Sequence, residues 1–511
     1  MSPSAAALVQ VLGFLCSFFY ILSYISSRLD GRGKRRLPPA PRGLPIIGNL
    51  HMLGKLPHQA LYHLAKVYGP MMSIRLGTVP AVVISSPRVA ELFLKTHDTI
   101  FAGRPRIQVA QVFSYGFKGM AFAGYGSYWR SVRKLYNVQL LSVSKIESLA
   151  PMRREMVSLL VESLKKDAAA QKVVNLSEKL GALIEDMTLR MVIGHMKYDQ
   201  FNLKELVQEV TSLAGAFNLA DYVPFLGALD LQGLRPRIKA ASGALDKALE
   251  NIIDEHELKN IHEQQKQQRD FVDLMLTMLN QPMNPHDDPM YIVDRTTIKA
   301  IIVDLITGGL DTTTTTIEWA VTELIRNPRA MQHLQRELQS FVGIYRTVEE
   351  IDLPKLTYLD MVVKETLRLH PVAPLLVPHE SMEDTTIDGY YIPKKSRILV
   401  NVWAIGRDPD VWSNNVEEFF PERFIDSNID LRGHDFELIP FGAGRRMCPG
   451  MKLGLTTVKF VLAQLVHCFD WELPDGMLPE ELDTSEKFGL SLPRSSHLYA
   501  KPIYRLLEKS M

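Results

Sequence analysis

The sequence predicts a mainly α-helical protein with a small β region, preceded by a helix that crosses a membrane. Helical apolar spacing runs through residues 145–290 and through the long segment 296–327. The β-rich runs are confined to MMSIRLGTVPAVVISSP, which starts at Met71, and to the chain after Cys468. The 511 residues contain no internal repeat and no long Gly/Ser-rich linker, and 46% are apolar, so we expect one large domain after the membrane segment.

The membrane segment is the apolar run from Ala5 to Ile25, which is long enough to cross a bilayer as a helix. No charged side chain occurs in residues 2–27. Basic residues follow at once, which places the rest of the chain in the cytosol; they are Arg28, Arg32, Lys34, Arg35 and Arg36. A cleaved signal peptide is the alternative, but no basic region precedes the run and no clear small-residue cleavage site follows it. We predict a single-pass endoplasmic-reticulum anchor over residues 1–27.

Charge and cysteine content narrow the class of protein. The formal net charge is +1, from 58 basic and 57 acidic residues, which argues against a nucleic-acid-binding protein. The three cysteines, Cys16, Cys448 and Cys468, are too few for a disulfide framework and suit a catalytic domain kept in the cytosol. Cys16 and Cys468 lie in apolar helical stretches, and we interpret them as packing residues.

The next two segments connect the anchor to the catalytic domain and cover its cavity. Residues 28–50 combine basic side chains with Pro38, Pro39, Pro41 and Pro45, which stiffen the exit from the membrane and predict a hinge. Residues 101–126, FAGRPRIQVAQVFSYGFKGMAFAGYG, mix glycine and aromatic residues without a clear period. This pattern predicts a long surface loop over a cavity.

Two helices carry side chains suited to a cofactor. In YWRSVRK, Trp129 and Arg133 are four residues apart and share one helical face, which could hold a carboxylate; a plain amphipathic surface helix is the alternative. In the long helix, Gly308 and Gly309 would allow a flat cofactor to approach, although better helix formers are favoured by up to about 1 kcal/mol per residue.

After the two glycines, Asp311 and Thr312 place an acid and an alcohol next to this approach, and the threonines continue to residue 316. Threonine hydroxyls bond to carbonyls one turn back and can open a bulge that holds water. A glycine-kinked core helix without chemistry is the alternative.

Cys448 lies in the glycine-rich loop FGAGRRMCPG, which starts at Phe441 and precedes an apolar helix. Arg445 and Arg446 lower the cost of a thiolate, and the N-terminus of the following helix favours an anion. These neighbours indicate a cysteine ligand, whereas a lone cysteine elsewhere would more often be a packed thiol. Upstream, Glu365 and Arg368 are spaced for an i, i+3 ion pair on a helix.

These motifs, in this order, resemble those of the cytochrome P450 superfamily from Pro38 to the C-terminus. Phe441, Gly444, Arg446, Cys448 and Gly450 match every defining position of its haem-binding signature FxxGxRxCxG. WRxxRK, GGLDTT, ExxR and PERF accompany it in the family's order. The residues of these motifs resemble those of a plant microsomal member of the A-type clan, which includes flavonoid and terpenoid hydroxylases. The resemblance implies the cytochrome P450 haem-thiolate fold for residues 51–511.

The resemblance also implies roles for the matching residues. It implies haem b with Cys448 as its axial ligand and Asp311 and Thr312 as the residues that deliver protons. It implies a structural triad of Glu365, Arg368 and Arg423. The remaining residues expected to contact the haem or its propionates are Trp129, Arg133, Gly309, His379, Phe441 and Arg446; for His379, a solvent-exposed histidine is the alternative.

The implied reaction is hydroxylation with O2 and NADPH. The resemblance implies that electrons come from NADPH–cytochrome P450 reductase at the same membrane, with cytochrome b5 as a second donor. The chain itself has no recognisable nucleotide-binding glycine fingerprint, in agreement with electrons from a partner. Two alternatives stay open. A reductase-independent haem-thiolate isomerase or dehydratase is disfavoured by the intact Asp311–Thr312 pair, and a haem sensor would leave that pair without a role.

The candidate substrate pocket contains no obvious charged anchor. Its expected lining is Val303, Ile306, Val372, Ala373, Leu375, Leu376 and Leu490. The turn from Lys487 to Leu492 resembles the family's last substrate-contact loop. Because an apolar pocket orients its ligand by shape, we expect a small lipophilic plant metabolite, with sesquiterpenes ahead of phenolics such as biphenyls or flavonoids.

Overall fold

The computed structural model describes Gly13, Ser17 and residues 35–194, 203–262, 270–286, 289–413 and 415–507. Apart from Gly13 and Ser17, the predicted anchor from Ala5 to Ile25 lies outside these residues. Within the described part of the chain, no helix combines the length and the apolar character needed to cross a membrane. The predicted mainly helical fold with a small β region is confirmed.

Helices form most of the described chain. In chain order they are α1 (Pro57–Tyr68), α2 (Pro87–Glu91), α3 (Asp98–Phe101), α4 (Gln108–Phe113), α5 (Ser127–Leu135), α6 (Val143–Ser148), α7 (Ala150–Ala169), α8 (Leu176–Ile193), α9 (Leu203–Gly215), α10 (Leu234–His262), α11 (Phe271–Leu276), α12 (Arg295–Arg326), α13 (Pro328–Val342), α14 (Thr357–Leu369), α15 (Val402–Ile405), α16 (Pro409–Trp412) and α17 (Met451–Cys468). Short 3-10 turns include Pro421–Phe424 and Gly444–Arg446, and π-helical turns at Leu92–Thr96 and Tyr136–Leu140 continue α2 and α5.

The strands form three small sheets. In chain order they are β1 (Met71–Leu76), β2 (Val79–Ile84), β3 (Val174–Asn175), β4 (His379–Glu380), β5 (Thr385–Ile387), β6 (Tyr390–Ile392), β7 (Arg397–Val400), β8 (Phe469–Glu472) and β9 (Tyr499–Tyr504). One sheet has the order β1-β2-β7-β4, a second β3-β9-β8, and β5 pairs with β6. The β1–β2 and β4–β7 pairs are antiparallel and the β2–β7 pair is parallel.

The long helix α12 forms the centre of the helical layer. It begins where the Asp294 side chain accepts a hydrogen bond from the Thr297 amide at 2.7 Å, which caps the helix after the proline-containing segment 281–289. It packs against α8, α14 and α17, and Trp319 is completely buried within that packing. The helix predicted over residues 296–327 therefore agrees with the structure to within one residue at each end.

The first sheet explains two sequence signals near the anchor. Pro80 lies within β2 opposite Arg75, but the pairing of β2 with β7 starts only at Ala81, so no ladder hydrogen bond is lost at the proline. The proline-rich segment lies along β1, because the Ser73 amide donates to the Pro39 carbonyl at 2.8 Å and the Ser73 hydroxyl donates to Pro38. From Pro38 onward, the predicted hinge is therefore held against strand β1.

The prediction of a long surface loop over residues 101–126 is wrong in part. The segment contains α4 (Gln108–Phe113), and Phe101, Ala102 and Ala123 are buried. This helix has only six residues, which is too short to produce a clear helical period of apolar residues in the sequence. The segment consequently forms part of the wall of the candidate site.

Candidate active site

The loop that carries Cys448 is shaped by two glycines. Gly442 and Gly444 have φ angles of 72° and 65°, in the left-handed region that favours glycine. A Cβ atom at Gly444 would also lie 2.1 Å from the carbonyl oxygen of Leu94, so no larger residue fits. The Cys448 amide donates to the Phe441 carbonyl at 2.9 Å and closes the loop. Gly450 has an ordinary φ of −85°, so the loop does not need glycine there for its backbone conformation.

Cys448 lies three residues before α17 and is half-buried. Burial raises the pKa of its thiol, while the amides of Gly450 and Met451 and the charge of Arg133 act in the opposite direction. The two amides belong to the start of the helix, whose positive end favours an anion. The surroundings of the sulfur can therefore stabilise a thiolate once a cation or a metal compensates for burial.

One side chain of α5 and one of the cysteine loop meet at the Met120 carbonyl. The Trp129 indole N–H donates to this oxygen at 3.2 Å, and the Arg446 guanidinium donates to it at 3.3 Å. Arg446 also donates to Ala102 at 2.8 Å and lies 4.5 Å from the Trp129 ring centre. Arg133 donates to the Met447 carbonyl at 2.7 Å, so α5 is attached directly to the cysteine loop.

His379 and Arg104 extend this cluster from the opposite side. The His379 Nδ1–H donates to the Phe101 carbonyl at 2.8 Å, and Arg104 donates to Val377 and Pro378 at 2.5 and 2.9 Å. Burial, together with the neighbouring charges of Arg104 and Arg446, holds the pKa of His379 well below its usual value. His379 is thus buried, against the alternative of an exposed histidine. Arg104 was missed by sequence reasoning, because an arginine in an irregular segment gives no periodic signal.

The charge of this cluster is only partly compensated, by Asp98, whose charge acts on Arg446 without forming a salt bridge with it. Among the described residues, no carboxylate forms a salt bridge with Arg104, Arg133 or Arg446, and the nearby Asp98 pairs with Arg445 at 3.4 Å. Burial lowers the pKa of Arg446 to about 10, and the charge of Arg133 acts in the same direction. Buried cations normally need an anionic partner. The cluster therefore fits an anionic cofactor within reach of the Cys448 loop, as expected for the two carboxylates of haem, the cofactor that the resemblance implies.

The Gly-Gly segment of α12 carries the predicted acid and alcohol without a bulge. Thr312 Oγ1 donates to the Gly308 carbonyl at 2.8 Å, yet the helix stays regular from Arg295 to Arg326. The predicted water-holding bulge is thus not formed in this structure. A Cβ atom at Gly308 would meet open space, whereas one at Gly309 would lie 3.3 Å from Thr188 of α8. Gly308 is consequently the glycine beside open space, and Gly309 allows α12 to pack on α8.

Asp311 faces α8 as well. Burial raises the pKa of its carboxyl group, and the nearby charge of Glu185, a buried residue of α8, raises it further. The prediction of an acid beside Thr312 did not include this second carboxylate. A carboxyl group with a raised pKa holds its proton more readily than an exposed aspartate, which is a property expected of a proton-delivery path.

A further acid, Asp304, lies on the same face of α12 as Gly308 and Thr312, because the three are spaced by four residues. Its Oδ2 accepts from the Ala121 amide at 3.2 Å and from the Tyr136 hydroxyl at 3.3 Å. Burial raises its pKa to about 6 despite these hydrogen bonds. Sequence reasoning did not single out Asp304, because its only signal was an aspartate within an apolar helical run.

Glu365, Arg368 and Arg423 meet in a buried salt-bridge triad. Arg368 binds the Glu365 carboxylate through Nε and Nη2 at 2.7 and 2.8 Å, and Arg423 Nε binds both oxygens at 2.9 and 3.0 Å. The Phe420 amide donates to the same carboxylate at 2.8 Å. Glu365 is completely buried and Arg368 is 1% exposed. The triad therefore attaches the segment before the cysteine loop to α14.

The seven predicted pocket residues lie in three places. Val303 and Ile306 face α9 and α10 across a cavity of about 10 Å³. Leu490 lies beside Gly215 at the end of α9 and is 42% exposed. The other four follow α14; they are Val372, Ala373, Leu375 and Leu376. Of these, Leu376 reaches the cysteine loop, since its Cδ1 would lie 3.8 Å from a Cβ atom at Gly442.

A flat cofactor that carries two carboxylates and takes a cysteine ligand is haem, and the protein is therefore a haem-thiolate protein by its fold and site. Comparison with known sequences agrees: the family model for cytochrome P450 matches residues 38–499. The chain belongs to the cytochrome P450 family, a family of haem-thiolate monooxygenases and hence of oxidoreductases.

Relatives of this chain come mainly from plants. It is 56% identical to cytochrome P450 CYP736A12 of Panax ginseng over 99% of this chain and 100% of that protein. It is 41% identical to a flavonoid 3'-monooxygenase, CYP75B137, of Crocosmia x crocosmiiflora over 93% and 94% of the two chains. Among solved structures, a zebra fish cytochrome P450 with progesterone matches with a TM-score of 0.73 and 25% identity, over 88% of this chain and 99% of that one.

Proposed function

We propose that this protein is a membrane-anchored plant monooxygenase that hydroxylates a small lipophilic metabolite with O2 and electrons from NADPH. The observation that carries the proposal is the cluster of Arg104, Arg133 and Arg446 beside the Cys448 loop, since no carboxylate of the described residues forms a salt bridge with these three arginines. A haem with two propionates supplies both the missing negative charge and a metal for the thiolate.

In this proposal, each residue near the cofactor has a defined task. Cys448 binds the iron, and the Gly450 and Met451 amides with Arg133 stabilise its thiolate. Trp129, Arg133, His379 and Arg446 would hold the propionates, together with Arg104, and Phe441 would belong to the protein surface around the haem. Gly309, which we expected to contact the haem, packs on Thr188 of α8 instead, and Gly308 is the glycine beside open space. When bound, the haem supplies the activation of O2 and its insertion into a C–H bond.

Proton delivery is assigned to α12. Thr312 Oγ1 donates to the Gly308 carbonyl at 2.8 Å, so its lone pairs are free to accept a hydrogen bond from a water molecule and hold that water on the path of the protons. Asp311 is positioned next to it along the helix and, with Glu185 nearby, can hold a proton at a higher pH than an exposed aspartate. This pair also argues against a reductase-independent isomerase or dehydratase, which needs no protons for O2 chemistry.

The partners and the location follow from the anchor and the missing nucleotide site. Residues 1–27 would form a single-pass endoplasmic-reticulum anchor, residues 28–50 the connection and residues 51–511 the cytosolic catalytic domain. NADPH–cytochrome P450 reductase in the same membrane would supply the electrons, with cytochrome b5 as a second donor. The lipid bilayer would also supply a lipophilic substrate.

A sesquiterpene is the first candidate for the substrate, because the aliphatic segment Val372–Leu376 next to the cysteine loop offers only apolar side chains. A phenolic substrate is the second candidate, and two observations favour it. Asp304 provides an acceptor on the wall that carries Gly308 and Thr312, and a relative 41% identical to this chain is named a flavonoid 3'-monooxygenase.

The test is a reduced CO-difference spectrum of the membrane-expressed full chain, followed by a screen for substrate-induced Soret shifts. A thiolate-type peak in haem-loaded protein and a shift with sesquiterpenes are the expected results. A shift only with phenolics would transfer the assignment to the second candidate. A folded, haem-loaded protein without the thiolate-type peak would refute the role of Cys448 and the oxygenase mechanism.

A further inference from the structure

A C-terminal hairpin carries the candidate substrate-contact turn Lys487–Leu492. The Lys487 amide donates to the Pro493 carbonyl at 2.9 Å, and the Ser495 amide donates to the Ser485 carbonyl at 2.8 Å. These bonds close the base of the hairpin and leave the turn between them. Within the turn, Phe488 and Leu490 are 38% and 42% exposed, whereas Leu492 is buried, so apolar packing alone holds the first part of the turn weakly.

Glu486 is the last residue of the hairpin base before the turn, and three donors converge on its carboxylate. His58 Nε2 and Gln59 Nε2 each lie 2.8 Å from Oε2, and the Trp403 indole N–H donates to Oε1 at 3.1 Å. His58 and Gln59 belong to the first turn of α1, and Trp403 belongs to α15. The carboxylate thus joins three segments that are more than 80 residues apart in sequence.

These contacts lie almost entirely out of solvent. The side chains of His58 and Glu486 are 0% and 7% exposed. The Phe488 ring stacks on the His58 ring with a centroid distance of 6.0 Å, and Trp403 meets the same imidazole edge-on at 5.4 Å. Burial opposes ionisation of Glu486, but the hydrogen bonds of His58 and Trp403 and the charge of Arg407 outweigh it, so its pKa is lowered. An ionised carboxylate in such a place strengthens every bond it accepts.

The turn is also placed next to the helices of the candidate pocket. A Cβ atom at Gly215, the last residue of α9, would lie 2.7 Å from the Leu490 amide nitrogen. The Trp319 indole of α12 donates to the Leu492 carbonyl at 2.9 Å. A shift of the hairpin base at Glu486 would therefore move the turn against both α9 and α12.

We propose that Glu486, held by His58, Gln59 and Trp403, is a positioning residue that sets the location of the Lys487–Leu492 turn and thereby determines which C–H bond of the substrate is oxidised. The proposal rests on the proposed monooxygenase function for its effect on the product. The claim about the position of the turn does not rest on that function, because the carboxylate keeps the turn in one position whether or not a substrate is bound.

The main test compares Glu486→Gln with wild type in the haem-loaded full chain. Glutamine keeps the size of the side chain but removes the charge, which weakens the bonds from His58, Gln59 and Trp403. We expect amide hydrogen exchange in residues 487–492 to become about tenfold faster, because a lost charge-assisted hydrogen bond changes a local opening equilibrium by about that factor. With an active substrate, we expect a changed product ratio and a KM raised more than kcat is lowered.

Two variants make the result specific. Glu480→Gln introduces the same chemical change at an exposed carboxylate six residues earlier and serves as the control. Gln59→Met removes a single donor from a partly exposed position, and it tests the same contact if Glu486→Gln fails to fold. We expect a smaller increase in the exchange rate of the turn. The thiolate-type CO peak confirms in each variant that the haem site is intact.

The outcomes separate the two proposals. Faster exchange of the turn in Glu486→Gln, with Glu480→Gln unchanged, supports the positioning role even if no substrate is turned over, in which case only the monooxygenase assignment fails. Unchanged exchange in both Glu486→Gln and Gln59→Met overturns the positioning role. Faster exchange with identical products and KM overturns its link to the site of oxidation.

Discussion

The buried carboxylate of Glu365 provides the sharpest test of how the segment before the cysteine loop is held. Glu365→Gln removes the only negative charge of a triad in which Arg368 and Arg423 have 0% and 7% exposed side chains. Both guanidinium groups would then remain buried without a counter-charge. Loss of one partner of a buried ion pair costs about 3–5 kcal/mol, a large part of the roughly 5–15 kcal/mol by which proteins are stable.

The matched control is Glu91→Gln in an exposed helical pair, where Lys95 Nζ lies 2.6 Å from Glu91 and the side chains are 63% and 44% exposed. Such a pair contributes less than about 1 kcal/mol. The unfolding midpoint, followed by tryptophan fluorescence, should fall by about 3–5 °C in Glu365→Gln and stay near wild type in Glu91→Gln. Equal shifts in the two variants would refute the view that the charge of Glu365 organises this region.

Three further results are expected. Cys448→Ser should abolish the thiolate-type CO-difference peak while leaving a folded protein by circular dichroism; retention of the peak would contradict the ligand assignment. Gly444→Ala should lower the unfolding midpoint and the haem content, because a Cβ atom would lie 2.1 Å from the Leu94 carbonyl oxygen, whereas Gly454→Ala, with open space around its Cβ position, should do neither. Burial raises the pKa of Asp304 from 3.8 to about 6, so the folded state binds the proton more tightly than the unfolded state, and the contribution of this group to stability should decline as pH rises from about 4 to 6. Asp304→Asn, which cannot ionise, should lose this decline when the unfolding midpoint is measured against pH, and an unchanged profile would contradict the raised pKa.

The sequence was most informative where a local pattern has a geometric consequence. The i, i+4 spacing of Trp129 and Arg133 places both on one face of α5, and the structure has them there, beside the cysteine loop. The helical period of residues 296–327 located α12 to within one residue. Such features depend on residues close in sequence, so the spacing of those residues is enough to predict them.

Contacts between distant segments left little trace in the sequence. Arg104 donates to Val377 and Pro378, more than 270 residues away, and no spacing rule connects them. The expected bulge at Thr312 failed for a different reason: its hydroxyl bonds to Gly308 within an unbroken ladder of helical hydrogen bonds. Val303 and Ile306, two residues of the expected pocket lining, face α9 and α10 across a small cavity, and no spacing rule specifies which helices lie opposite them.

Buried carboxylates fix the parts of the molecule whose positions matter most for a substrate. Asp304 holds the Ala121 segment against α12, and Glu486 holds the last candidate contact turn against α1, across 428 residues of sequence. Apolar side chains can slide past each other at small cost, whereas a buried carboxylate that loses its donors pays the full cost of desolvation. Under the proposed function, the contacts of Glu486 fix one candidate contact turn from outside its apolar lining, and substitutions there should change selectivity without changing a lining residue.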